Sequence, residues 1–454
     1  MKFKLFASIA MTSFFALLAT PSHMAAQDTA RYTILHTFNG ADGAIPYGNL
    51  ISDWEGNLYG TTIAGGDTVH TPCQNSPFGS GCGVVYKIDR SGDESIVYKF
   101  RGGADGAFPA TELLLDESGN LYGTARGGGI AKPECAFLSG CGVVFKIDRH
   151  GEESIVYSFK GGADGFGVAS GLIRDEAGNF YGTTVAGGDS NPVCTGDGPP
   201  GTCGTVYKID RHGNHSVLHT FTGGADGYAP YGGLLRDWWG DLYGTASNGG
   251  DTSSSFCNTT VSDLGGALGC GVVFKIDRAG KFSVVHSFEG KDGGPFPDGW
   301  LATDFAGNIY GITGNGGSAV SSTNLGDGTI FKIDRRGNES VLYNFVGGAE
   351  GLTSFGSVIR DERGNLYGAT YFGGDTTDPA CSGTGGCGVV FKLDGWGKYT
   401  VLHTFKGTDG ANPWASLYMD RQGDIYGTTS AGGDPTCNCG VVFKITLGHA
   451  WSDF

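Results

Sequence analysis

Positive charge is scarce in this chain of 454 residues: Lys and Arg number 30 against 46 Asp and Glu, a formal net charge of −16. Nucleic acid and anionic membrane surfaces both need a basic patch, so this balance disfavours them as partners. After the first twenty residues no apolar stretch is long enough to cross a bilayer, so no membrane span is expected. Helix signals are nearly absent, and no glycine-rich phosphate loop opens a helix. The 10 histidines form no nucleophile–His–acid spacing. No run of ligands resembles an EF-hand. What the chain has in quantity is glycine, 84 residues without a collagen-like triplet, and an aromatic content of 12% that argues against disorder. The N-terminus reads as a secretion signal: Lys2 and Lys4, then an apolar run from Leu5 to Leu18, then small residues. That run is too short to span a membrane comfortably. Cleavage between Ser22 and Gln27 gives a signal over 1–26 and a single exported domain over 27–454, expected to be secreted or periplasmic and monomeric.

That domain is one segment of about sixty residues repeated seven times, a period that signals an array or a propeller. A tyrosine in a Leu-Tyr-Gly-like motif recurs at Tyr59, Tyr122, Tyr181, Tyr243, Tyr310, Tyr367 and Tyr426. A lysine in Val-Phe-Lys-Ile-Asp-like motifs runs from Lys87 to Lys444, and a phenylalanine ending a His-Thr-Phe-like stretch runs from Phe38 to Phe405. The step from lysine to phenylalanine is always thirteen residues, whereas tyrosine to lysine varies from 18 to 32, so insertions pool in one loop per repeat. Each repeat yields four short strands, in the second Thr111–Leu115, Asn120–Ala125, Gly142–Asp148 and Glu153–Phe159. Asp-x-x-Gly turns follow the first strand in all seven repeats and the third in six, and their thirteen acids are read as turn-fixing.

Four antiparallel strands repeated seven times predict a seven-bladed β-propeller, with a solenoid as the alternative. The phase of the repeat decides. The chain opens on a lone fourth strand, Tyr32–Phe38, and closes on strands one to three of a blade, ending at Cys439–Thr446. A ring joins these fragments and leaves no open edge. Turns between strands one and two and between three and four share one face, short and nearly constant, and that face is expected to offer little. The other face gathers the long loops and the crossovers between blades, and function is expected there.

The crossovers read Gly-Gly-Ala-Asp-Gly or a near relative and supply Asp42, Asp105, Asp164, Asp226, Asp292, Glu350 and Asp409. A second acid opens the long loop at Asp67, Asp189, Asp251, Asp375 and Asp434. Such a ring of carboxylates would suit calcium, which takes oxygen ligands; the alternative is Asp-Gly turn chemistry, and no cofactor is required. Shortly after each acid come Tyr47, Ala110, Ala169, Tyr231, Asp298, Phe355 and Trp414, with Trp300 two residues beyond Asp298. Aromatics at a propeller mouth can stack on sugar rings or close over a partner protein; the alternative is packing between blades. The second repeat departs with Glu112 and Arg126, a pair that could anchor a polar ligand or form a local ion pair.

Twelve cysteines fall two per repeat in the variable loop: Cys73 with Cys82, Cys135 with Cys141, Cys194 with Cys203, Cys257 with Cys270, Cys381 with Cys387, and Cys437 with Cys439. The fifth repeat lacks both, with Asp327 where the second would stand. In an exported chain these read as six local disulfides, with Cys437 and Cys439 an exception whose small ring would be strained and reducible; zinc would need four ligands in one place. His36, His219, His286 and His403 share a position with Tyr98, Tyr157 and Tyr343, which suits packing better than proton transfer.

The blocks Gly-Asn-Leu-Tyr-Gly-Thr-Thr, Gly-Val-Val-Phe-Lys-Ile-Asp and Val-Leu-His-Thr-Phe-x-Gly-x-x-Gly resemble the GloVer tandem repeat of exported bacterial proteins. The resemblance implies an extracytoplasmic, propeller-like protein and transfers no catalytic residue. Members often end in a surface-sorting anchor, which Ala450-Trp451-Ser452-Asp453-Phe454 does not resemble. The leading expectation is a secreted, non-enzymatic protein that binds a glycan or extracellular protein on its loop-rich face. The alternatives are a polysaccharide-acting hydrolase or lyase, and a passive surface or matrix component.

Overall fold

The computed structural model describes residues 30–448, apart from 75–77, 169, 189–193, 195–201, 252, 254–256, 258–268, 291–292, 318–325 and 384. The expected signal segment and Ala169, Asp189 and Asp292 therefore lie outside the described residues.

Seven antiparallel sheets form the ring, and the chain closes it as the repeat phase requires. Ala30–Thr37 pairs antiparallel with Val441–Leu447, from Ala30 opposite Leu447 to Thr37 opposite Val441, with a bulge between Ile34 and His36. The last blade is thus built from both ends of the chain. Blade 2 is typical: Leu114–Leu115, Leu121–Ala125, Val143–Ile147 and Glu153–Ser158, from the axis outward. Blade 1 gains a fifth strand, because the crossover Ala44–Pro46 pairs with Leu58–Ala64. In five other blades the same contact is a single bridge, such as Ala107 with Gly127.

The innermost strand is shorter than Thr111–Leu115, and the hydrogen bonds show why. Near the axis the backbone is claimed sideways by the preceding blade. Thr61 Oγ1 donates to the carbonyl of Thr111 at 3.0 Å, and Thr124 Oγ1 to that of Ser170 at 3.1 Å. An inner girdle between blades replaces pairing within the sheet.

Seams between blades explain two of the repeated landmarks. The phenylalanine ending each fourth strand meets the third-strand aromatic of the next blade edge to face: Phe100 on Phe145 at 5.0 Å, Phe221 on Phe274 at 5.3 Å, and Phe38 on Tyr86 at 5.0 Å across the closing seam. Pairs of this kind contribute about 1 kcal/mol each beyond the area they bury. The glycine after the repeated tyrosine makes room for the same ring: a Cβ on Gly123 would lie 2.6 Å from Phe145 Cζ. All thirteen turn acids bind their own turns. Asp53 Oδ1 accepts from the Asn57 amide at 2.9 Å while Oδ2 accepts from the Tyr59 hydroxyl at 3.2 Å, and Asp89 Oδ1 accepts from Ser91 and Asp93. Among the described residues no helix is long and apolar enough to cross a membrane.

Candidate functional site at the propeller mouth

The six expected disulfides are all formed. Their placement serves the mouth of the ring. The carbonyl of each second cysteine accepts a backbone N–H from the crossover entering the next blade: Cys82 from Phe108 at 2.9 Å, Cys203 from Ala229 at 3.0 Å, Cys387 from Asn412 at 2.9 Å, and Cys439 from Ile45 at 2.9 Å across the closing seam. In the blade without cysteines the carbonyl of Asp327 does the same for Thr353 at 2.9 Å. Every residue held this way is left-handed, with φ between 50° and 66°, and only the one at 167 is glycine. Side chains avoid that region, so a non-glycine residue there persists only where its surroundings hold it. The left-handed step turns the chain inward, and two residues later come Tyr47, Ala110, Tyr231, Asp298, Phe355 and Trp414.

These residues converge. Tyr47, Glu112, Arg126, Tyr231, Asp298, Trp300, Phe355 and Trp414 all line one cavity of about 500 Å³ on the axis, together with Asn49 and Phe78. One wall is a stack of three rings from three blades: Trp414 lies between Tyr47 at 4.6 Å and Phe355 at 4.2 Å, with interplanar angles of 24° and 18°. Both faces of the Trp414 indole are therefore covered. It cannot stack flat on a sugar, and packing claims it. Trp300 lies across two neighbouring blades, because glycines leave it space. A Cβ on Gly233 would fall 2.4 Å from its Cε2 and one on Gly171 2.7 Å from its Cη2.

The wall beside Tyr47 is charged. Glu112 lines the cavity and accepts one side-chain bond, from Asn49 Nδ2 at 3.4 Å. Burial lifts its carboxyl to about 7, and the Asn49 bond offsets only part of that. The Arg126 guanidinium sits over the Phe78 ring at 5.6 Å. The mouth thus joins a rigid aromatic wall to a carboxyl poised between its two protonation states near neutral pH.

The described crossover acids lie elsewhere, each tied to the outer strand that precedes it. Asp105 accepts from the Tyr98 hydroxyl at 3.1 Å and the Arg101 amide at 3.0 Å; Asp226 meets His219 Nε2 at 3.1 Å and accepts from the Thr222 amide at 3.0 Å. Asp42 with His36, Asp164 with Tyr157 and Asp409 with His403 repeat the arrangement. This explains why His and Tyr interchange there: either ring can donate to the carboxylate. Burial pushes Asp226 upward, but its hydrogen bonds win and hold it below the usual carboxylate range. The ring of acids is therefore not gathered at the mouth. Among the described residues, one trio of close potential metal ligands occurs, His36, Asp42 and Glu94, at the closing seam.

The opposite face corrects the expectation that it offers little. Its turn tips carry Trp54, Trp238, Phe305 and Trp396, which are 91%, 97%, 101% and 96% exposed. The signal was in the sequence, in the two x positions of Asp-x-x-Gly.

The sequence pattern of the Gloeobacter/Verrucomicrobia repeat matches residues 23–196 and 137–378, more than half of the chain. The protein belongs to this family. No curated protein matches it. Among solved structures this family member is similar to virginiamycin B lyase from Staphylococcus aureus, at 10% identity and a TM-score of 0.55 over 92% of this chain and 99% of the lyase. It is also similar to a fungal alcohol oxidase solved with copper, at 12% identity and a TM-score of 0.51 over 92% of this chain and 76% of the oxidase. At such identities the likeness shows the propeller fold and nothing of the chemistry. Six disulfides are compatible with an extracellular or periplasmic location.

Proposed function

We propose that this is an exported, non-enzymatic binding protein that holds a glycan in the propeller mouth. The observation that carries the reading is the convergence of eight side chains from different blades on one cavity of about 500 Å³. Tyr231, Trp300 and the outer rings of the Tyr47–Trp414–Phe355 stack supply apolar surface, and Glu112, Arg126 and Asp298 supply polar groups for hydroxyls. Backbone bonds to six disulfide-bonded loops and to Asp327 pre-organise the walls, which lowers the ordering cost of binding. No cofactor is needed. The test is a glycan array probed with the mature protein and with Trp300→Ala and Tyr231→Ala. Binding lost in both variants supports the reading; a ligand held equally well by both variants refutes it.

One observation favours a second reading. A carboxyl raised to about 7 at the base of a cavity is equipped to give and take a proton at neutral pH. On that reading Glu112 is the general acid or base of a polysaccharide hydrolase or lyase. Product release from a panel of plant and microbial polysaccharides, abolished in Glu112→Gln, would promote it over binding. A passive matrix component would show neither behaviour.

A further inference from the structure

A groove of about 890 Å³ runs across the turn face between blades 4 and 5 and reaches the first turn of blade 6. Trp238, Trp239 and Phe305 stand along it, with Arg335 and Arg360 among its polar lining. Trp238 and Phe305 are 97% and 101% exposed, so folding gains nothing from either ring. The equivalent turn position holds Glu117, Glu176, Glu362 or Arg421 in other blades, and the turn acid keeps its bonds whatever stands there. The fold is therefore indifferent to these aromatics. Trp239 is half exposed, and the Arg335 guanidinium 5.0 Å from its ring centroid holds the indole in place.

The rings at the mouth cover one another; these do not, and no ring contact joins Trp238 or Phe305 to another aromatic among the described residues. Acidic and basic side chains both line the groove, and the aspartates are engaged. Asp237 accepts from the amides of Trp239 and Asp241, Asp304 from Asn308, and Asp241 pairs with Lys275 at 2.5 Å. A polyanion would meet these carboxylates on a chain already at −16. An uncharged ligand would not. A stable protein interface buries roughly 800 Å² per side around hot-spot rings packed at a water-excluded centre, whereas these rings stand at separate turn tips with charged groups between the tips.

We propose that this groove is a second, independent binding site, for a neutral polysaccharide chain. The flat faces of Trp238, Trp239 and Phe305 stack on successive sugar rings, and the guanidinium groups of Arg335 and Arg360 donate to hydroxyls. The site does not depend on the mouth or on its ligand.

The test is affinity electrophoresis of the mature protein through gels containing neutral polysaccharides (xyloglucan, galactomannan, mixed-linkage glucan, xylan) or polygalacturonate. At least one neutral polymer is expected to retard the protein, with affinity falling at least ten-fold in Trp238→Glu/Trp239→Ala and staying unchanged in Trp300→Ala. Glutamate already occupies this turn position in three blades, and an unchanged melting temperature will show that the variant folds. Absence of retardation by every neutral polymer, retardation by polygalacturonate alone, or loss of retardation in Trp300→Ala but not in the turn-face variant would each overturn the proposal. Specific capture of a protein that the turn-face variant no longer captures, without polysaccharide binding, would overturn it in favour of a protein interface.

Discussion

The two faces of the propeller use aromatic residues in opposite ways. At the mouth, Tyr47, Trp414 and Phe355 lie on one another and Trp300 lies over two glycines. On the turn face, Trp54, Trp238, Phe305 and Trp396 stand in solvent at the tips of turns that fold equally well around Glu or Arg. Burial makes the first set part of the scaffold as well as part of a site. Exposure relieves the second set of any structural duty, and this is why a ring there points to a ligand.

Stability separates the two sets most sharply. Trp414→Ala removes the middle ring of the stack and should cost about 2–3 kcal/mol, whereas Trp238→Ala should stay within about 0.5 kcal/mol of the parent. Chemical denaturation of both variants measures the difference, and equal losses would break the contrast. Next in size, Gly233→Ala drives a methyl into the Trp300 indole and should cost about 1–3 kcal/mol with a shift in tryptophan emission. An unchanged spectrum would mean that Trp300 does not lie where it is described.

A smaller effect concerns two carboxyls lifted to about 7, Glu112 in the mouth and Glu153 at an outer seam. For Glu153 the cause is burial first and the nearby Asp105 second. A carboxyl raised on folding binds its proton more tightly in the native state. Its contribution is therefore intact below the unfolded value of 4.5 and is lost as pH rises through about 7. Glu153 is partly exposed, and solvent screening reduces its share to about 1 kcal/mol. Glu153→Gln should accordingly raise the melting temperature at pH 8 and leave it unchanged at pH 4. A variant less stable at pH 8 would show that the charged form is welcome there.

The smallest effect is local. Reduction of the disulfides should loosen the carbonyls of Cys82, Cys203 and Cys387. Amides of Phe108, Ala229 and Asn412 should then lose protection from hydrogen exchange, while the turn amides of Gly56 and Gly240 keep theirs. Uniform loss on both faces would mean that the staples hold the whole ring.

Much of this was legible in residues and spacing. Because strand number and chain order are set by local pattern, the phase of the repeat implies that Tyr32–Phe38 completes the last blade, and the observed strand is Ala30–Thr37. Convergence of the mouth residues followed from their equivalent positions in a closed ring. The rest depended on contacts between blades, which a repeat pattern does not encode. The pattern could not show that Trp414 is covered on both faces, that Glu112 is surrounded, or that Tyr98 and His219 bind the crossover acids seven residues on. Thr111–Leu113 match strand composition but fall outside the strand, and the Thr111 carbonyl is held by Thr61 of the preceding blade. The turn-face aromatics occupy the variable pair inside a constant Asp-x-x-Gly frame, a pattern that marks the turn and carries no information about exposure.

One consequence of the shared last blade concerns biosynthesis. Its outer strand is made before the six other blades and its inner three strands after them, so the ring cannot seal until Val441–Leu447 has emerged. Until then, Ala30–Thr37 and the growing C-terminal border are both unpaired and open to strands of other molecules. A chain held unfolded until its last blade is complete avoids that hazard, and a shortened product lacking Val441–Leu447 does not.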